Sequence, residues 1–140
     1  MIDWRLTTDL LRANPDFHHR PRYDYVIIQA SDTEVMFAQI LYIFGVTLNN
    51  IETHVALVLP FDETPDRQHH GRDEALNFTR VQARHQSKAT FIHVESIVRG
   101  AVLVKDFEAE HDDEYIVMDV LDADLWWRMK SVSIARHVRM

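Results

Sequence analysis

A chain of 140 residues, 46% of them hydrophobic, carries enough apolar material for one self-supporting core and falls outside the composition of disordered chains. Its net charge of −7 opposes wholesale wrapping by nucleic acid, which needs Lys and Arg to neutralise phosphate. It has no cysteine, which excludes disulfides, thiol catalysis and cysteine-based zinc sites and suits an intracellular protein.

No apolar run reaches the ~20 residues of a membrane-spanning helix, so no membrane partner is expected. The opening MIDWRLTTDLL lacks a basic region followed by an apolar one, which argues against a signal peptide.

In chain order, Met1–Asp24 reads as a helix followed by a strap. Thr7 or Thr8 caps a short helix over Asp9–Ala13, and Asn14-Pro15 ends it, because a residue before proline is pushed out of the helical region. Asp16–Asp24 (DFHHRPRYD) reads as extended. Tyr25–Gln29 (YVIIQ), short and β-branched, is the first strand, and Ser31–Glu34 is a turn. Phe37–Val46 and His54–Phe61 are apolar runs on either side of Asn49-Asn50, and together they read as a hairpin or meander; a helix over Val35–Phe44 is the competing reading, against which Gly45 and the aromatic and β-branched content weigh. Neither run alternates, so both faces of this hairpin should be covered. The strap, with Trp4, Leu10, Leu11 and Phe17 as anchors, is the nearest candidate cover, and another molecule is the alternative.

Asp62–Glu74 (DETPDRQHHGRDE) reads as a long mobile loop. Asn77–Arg84 alternates as a half-exposed strand, with Phe78, Arg80, Gln82 and Arg84 on one face and Thr79, Val81 and Ala83 on the other. Thr90–Val94 is a further strand, Glu95–Gly100 a turn or single helical turn, Ala101–Phe107 and Tyr115–Leu121 strands, and Ser131–Met140 a weak edge strand or tail. The expected organisation is a helix and strap over 1–24, a β-domain over 25–130 and a tail over 131–140. Six to eight short strands without a βαβ rhythm predict a mainly β fold, a small antiparallel barrel or sandwich.

Charge is uneven. From Lys105 to Asp124 there are nine acids against one base, and from Leu125 onward four bases and no acid. The acidic stretch and the basic tail are expected to pair internally or to face different partners.

Nine histidines invite a metal hypothesis, but His18-His19 and His69-His70 are adjacent pairs and nothing matches HExxH or a spaced ligand set, so no cofactor is expected. Asp119, Asp122 and Asp124, with Asp106, form the best carboxylate group for a magnesium-dependent nuclease or phosphoesterase; the competing reading is turn formation and pairing with arginine. The best binding candidates are Phe78, Arg80 and Arg84, an aromatic and two arginines on a sheet face, and Trp127, which adjoins Trp126. The competing reading for the arginines is pairing with the acidic loop.

The segments NPDFHHRPRYDYVIIQ, FAQILYIFGV, HVALVLPFD, RVQAR, FIHVESIVRGAVLVKDF and YIVMDVLDADLWWRMK resemble a region in uncharacterised proteins of mushroom-forming fungi. That region often lies near the C-terminal end of transposon-derived proteins of the Kyakuja–Dileera–Zisupton and Plavaka types. It is similar in pattern to the transposase-associated domain of unknown function of plant CACTA-type elements. The strand order also resembles the bromo-adjacent homology fold, an SH3-like β-barrel used in chromatin contacts, although LVLPFD departs from that fold's aromatic pattern. The resemblance implies a non-enzymatic interaction module of transposon origin, contacting protein, chromatin included, or DNA. It transfers no catalytic residue. The alternatives are the Asp106/Asp119/Asp122/Asp124 nuclease and a structural homodimer or transposon relic.

Overall fold

The computed structural model describes residues 10–64, 70–76, 78–118 and 133–134. The described elements are β1 (Ala13–Phe17), β2 (Arg20–Tyr23), β3 (Tyr25–Gln29), β4 (Glu34–Leu48), β5 (Ile51–Glu63), α1 (His70–Leu76), β6 (Thr79–Ala83), β7 (Thr90–His93), β8 (Ile97–Ala101), β9 (Leu103–Lys105), β10 (Glu114–Val117) and β11 (Ser133–Ile134). β1 and β2 form a separate two-stranded hairpin; the rest join one nine-stranded sheet. Its path is β8-β3-β4-β5-β6-β10-β9, with β7 added beside β5 and β11 pairing β4 in parallel.

The mainly β, mostly antiparallel class is as expected. The closed barrel is not found: the path has two ends, β8 and β9. Those ends are the two halves of one chain segment, separated only by Val102, whose carbonyl accepts a hydrogen bond from the Met118 amide at 2.9 Å. Val102 thus links the two ends through the chain itself rather than through a ladder.

The β4–β5 hairpin is the centre of the sheet. Asn49 and Asn50 have φ of 51° and 63°, the double left-handed geometry of a type I′ turn, which Asn tolerates and which matches the twist of the flanking strands. The pairing runs from Leu48↔Ile51 back to Phe37↔Phe61, with one break: Ile40 faces Val58 and Tyr42 faces Leu57, so Leu41 is an extra residue, a β-bulge. This bulge explains why the strand fails to alternate. Phe37 and Gln39 share a face with Tyr42, Phe44, Val46 and Leu48, while Ala38 and Ile40 share the other with Ile43, Gly45 and Thr47. Two clean alternations of opposite parity are joined at Leu41.

Each face has its own core. On one, Ile27, Phe37 and Phe61 lie in register across β3, β4 and β5, all buried, and pack with Val35, Val81, Leu103 and Val117. On the other, Val26, Ile28, Ala38, Ile40, Ala56 and Val58 are buried beneath Leu11, Ala13, Ile92 and Val94. The strap therefore supplies part of the second cover through Leu11 and Ala13, and β7 with its following turn supplies another part. Leu10, an expected anchor, is exposed. Phe17 instead carries Arg12 and Arg22 over its ring at 4.8 and 5.0 Å. Trp4 lies outside the described residues.

Four other expectations are corrected in whole or in part. Ala13, predicted to end a helix, begins β1, and Leu10–Arg12 are not helical; the remainder of the predicted helix lies outside the described residues. The strap is the β1–β2 hairpin, and His18-His19, with φ of 50° and 66°, form its turn between the paired Phe17 and Arg20. The stretch read as a loop over Asp62–Glu74 runs from the end of β5 into α1, and of the predicted turn or helical turn over Glu95–Gly100, Glu95 and Ser96 lie in a single 3-10 turn, Val94–Ser96, while Ile97–Gly100 belong to β8.

Candidate functional site

β6 places Val81 and Ala83 toward the first core, so the alternation read for this strand holds. The opposite face does not stay open. α1 lies against it, with the Phe78 amide donating to the Asp73 carbonyl at 2.8 Å, and so does the acidic segment before β10. Arg80, 3% exposed, is enclosed between them. Its Nε and Nη2 donate to the two oxygens of Asp73 at 2.8 and 3.2 Å, a bidentate pair. Its Nη1 donates to Asp106 at 2.8 Å and Glu114 at 3.2 Å. These bonds push the guanidinium pKa above its ordinary value, with Asp73 the largest cause, against a smaller opposing effect of burial. Arg84 is held by Asp62 through three contacts of 2.7 to 3.0 Å, and Gln82 donates to Asp113. Phe78 is half-buried.

The acidic segment therefore pairs with Arg80 and Gln82 of β6, the competing reading in the case of Arg80, whereas Arg84 is held by Asp62 of β5. As arranged here, Arg80 is enclosed by the fold instead of facing a ligand on an open sheet. Trp127 and Trp126 lie outside the described residues, as do Asp119, Asp122 and Asp124. Asp106, the fourth member of the carboxylate group, bonds Arg80. Among the described residues no group of three or more His, Asp or Glu is arranged to hold a metal ion. Nor is any described helix long and apolar enough to cross a membrane.

The feature that sequence reasoning did not single out is the far half of the hairpin. β3 leaves β4 at Gln39, and β7 pairs β5 over Val55–Val58, so among the described residues β4 and β5 continue beyond these points as a two-stranded ribbon. Tyr42, Leu48, Ile51 and Phe91 are 60%, 65%, 67% and 64% exposed. Tyr42 and Phe44 have ring centroids 5.7 Å apart, and Phe44 meets Phe91 edge-on at 5.9 Å. The register puts Tyr42, Phe44, Val46 and Leu48 on one side of the ribbon, with Leu57 and Phe91 in line beside them. A large apolar side chain left in water forgoes roughly 1.5–3 kcal/mol of burial. A contiguous group of them marks an interaction surface more often than a scattered few would. The signal was present in the sequence, as apolar residues continuing to Ile51 across a turn, but the bulge hid which of them share a side.

Comparison of the chain with protein-family models, with curated proteins and with solved structures gives no match.

Proposed function

We propose that this chain is a non-enzymatic interaction module that binds protein through the aromatic side of the β4–β5 ribbon. The observation that carries the reading is the contiguous exposure of Tyr42, Leu48, Ile51 and Phe91 beyond the end of the core. Aromatic side chains are the usual anchors of protein interfaces, being large, rigid and apolar with a polar tip in Tyr. A protein partner is favoured over DNA because the net charge is −7 and because Arg80 and Arg84 are engaged by carboxylates of the same chain. The resemblance to the transposon-associated region supplies a context, an accessory module beside a separate catalytic core. The sheet path, whose ends meet through Val102, supports reading the fold as a barrel-like relative of the SH3 and bromo-adjacent homology group.

A photo-crosslinking amino acid placed at Tyr42 or Phe91 of the full chain in cells tests the reading. Discrete protein adducts are expected from both positions and none from Asp32, an exposed residue at the opposite end of β4. Nucleic-acid adducts, or equal labelling from all three positions, overturn it. So does magnesium- or manganese-dependent cleavage of nucleic acid that Asp119→Ala and Asp122→Ala abolish.

A further inference from the structure

The ribbon has two edges, and they differ in chemistry. A two-residue turn makes Leu48 and Ile51 a hydrogen-bonded pair, after which bonded and non-bonded pairs alternate along the ladder. The backbone groups of Tyr42, Phe44, Val46 and Leu48 therefore face β5, and those of Ile43, Gly45 and Thr47 face outward. Ile40, just before the bulge, turns its amide to that same outer side and donates to the Asp24 carbonyl at 2.9 Å. Among the described residues no strand pairs with the outer side of β4 from Tyr42 to Leu48. The far edge of β5 carries Glu52 and His54, 3.7 Å apart, the kind of charge that keeps an edge from recruiting another strand. The β4 edge, LYIFGVTL, carries no charge and no proline. It is rich in the residue types that favour strands, and beyond the bulge at Leu41 it carries none of the charges or prolines that protect an edge.

We propose that the β4 edge pairs antiparallel with the β4 edge of a second copy of this chain, about a two-fold axis through Gly45. This rests on the reading of the ribbon as an interaction surface and names its partner. The outward-facing groups fix the register. Gly45 exchanges hydrogen bonds with Gly45 of the second copy, and Ile43 does so with Thr47 in both directions. On the aromatic side Tyr42 then lies beside Leu48 of the second copy and Phe44 beside Val46, which continues the apolar face across the axis. The paired strands themselves bring no like charges together, since the edge segment has none. The residue on the axis, where identical side chains must oppose each other, is the one without a side chain. A closed two-fold pairing also consumes the β4 edges of both copies and does not propagate through them into fibres. An interface of one short strand is small, so the dimer is a reversible one with a dissociation constant on the order of micromolar.

The two-fold axis supplies its own test. A Cβ built at Gly45 meets only Glu52 Oε1 at 3.5 Å and His54 ring atoms at 3.9 Å, ordinary contacts with exposed side chains, so the backbone there accepts a side chain. Sedimentation velocity on the full chain is expected to show a concentration-dependent dimer. Gly45→Lys and Gly45→Glu, each placing like charges directly opposite, raise the dissociation constant about tenfold or more. Mixing the two variants restores a heterodimer. Amides of Ile43, Gly45 and Thr47 exchange slowly with solvent in the dimer, and those of Ile43 and Thr47 exchange fast in either variant alone. A monomeric wild type, a dimer indifferent to both variants, or two variants that do not recover on mixing overturns the proposal. A monomer that still crosslinks other proteins from Tyr42 and Phe91 removes the second copy as partner and leaves the interaction surface standing. A monomer without such adducts removes both.

Discussion

Arg80 and Glu114 lie on the neighbouring strands β6 and β10, with Nη1 and Oε2 3.2 Å apart and both side chains almost wholly buried. Arg80 stands opposite Ile116, and Glu114 opposite Gln82, so the two are diagonal neighbours on one face of the sheet. Asp73 from α1 and Asp106 from the segment after β9 complete the shell around the guanidinium. One side chain thus ties together a helix, a strand and the segment that leads into another.

Removing it leaves buried carboxylates without their cation. Arg80→Leu should cost about 3–5 kcal/mol, the range for breaking a buried pair by deleting one member. Arg84→Ala, which breaks a pair whose side chains are 27% and 23% exposed, should cost only about 1 kcal/mol. Urea denaturation checks both, as a shift in midpoint at constant slope. Equal effects from the two substitutions would remove the distinction drawn between them.

The turn residues make a second pair of expectations. Asn50, at φ 63°, sits where a side chain with a Cβ is disfavoured, and Asn50→Ala should destabilise by roughly 1–2 kcal/mol while Asn50→Gly is neutral or stabilising. His18-His19 occupy the same geometry, so replacing them with Asn-Gly should stabilise the β1–β2 hairpin and slow exchange of its amides.

Tyr25 gives an alkaline signature. Burial, and then the Coulombic and hydrogen-bond contributions of Tyr115, raise its hydroxyl to about 12, against about 10 in an unfolded chain. As pH rises past about 10 the unfolded state releases this proton while the folded state keeps it. Stability contributed by the neutral Tyr25 is therefore complete below about pH 10 and is lost as pH rises through about 12. Denaturation midpoints should fall across this window, and Tyr25→Phe should flatten the fall. A wild type and variant with the same slope would show that Tyr25 is not the group responsible.

Tyr42→Ser and Phe91→Ser should leave stability within about 0.5 kcal/mol, because both side chains are mostly in water. Phe37→Ala, by contrast, should cost about 3–5 kcal/mol, since Phe37 is wholly buried opposite Phe61. Thermal or chemical denaturation separates the two cases. A large loss at Tyr42 or Phe91 would mean that the ribbon's aromatic side is structural.

Local chemistry made part of this fold legible. YVIIQ over Tyr25–Gln29 is β3 to the residue, because β-branched side chains in a short run between turn formers leave few alternatives. The hairpin around Asn49-Asn50 was readable for the same reason. What failed depended either on neighbours far along the chain or on a local backbone irregularity. Arg80 looks exposed from its own strand, and only α1 and the segment before Glu114 bury it. His18-His19 carried no conventional turn signal, since histidine enters the left-handed region less often than Gly or Asn. The aromatic ribbon was hidden by Leu41, which breaks the period on which face assignment depends.

That one residue also makes β4 a strand that can lose a residue. Insertions and deletions are usually tolerated in loops and harmful in strands. Here a deletion of Leu41 would join Ile40, opposite Val58, directly to Tyr42, opposite Leu57, so both halves of β4 would keep their partners and their faces. Two chains differing by one codon at this position would share a core and present the same surface, one of them on an unbulged strand.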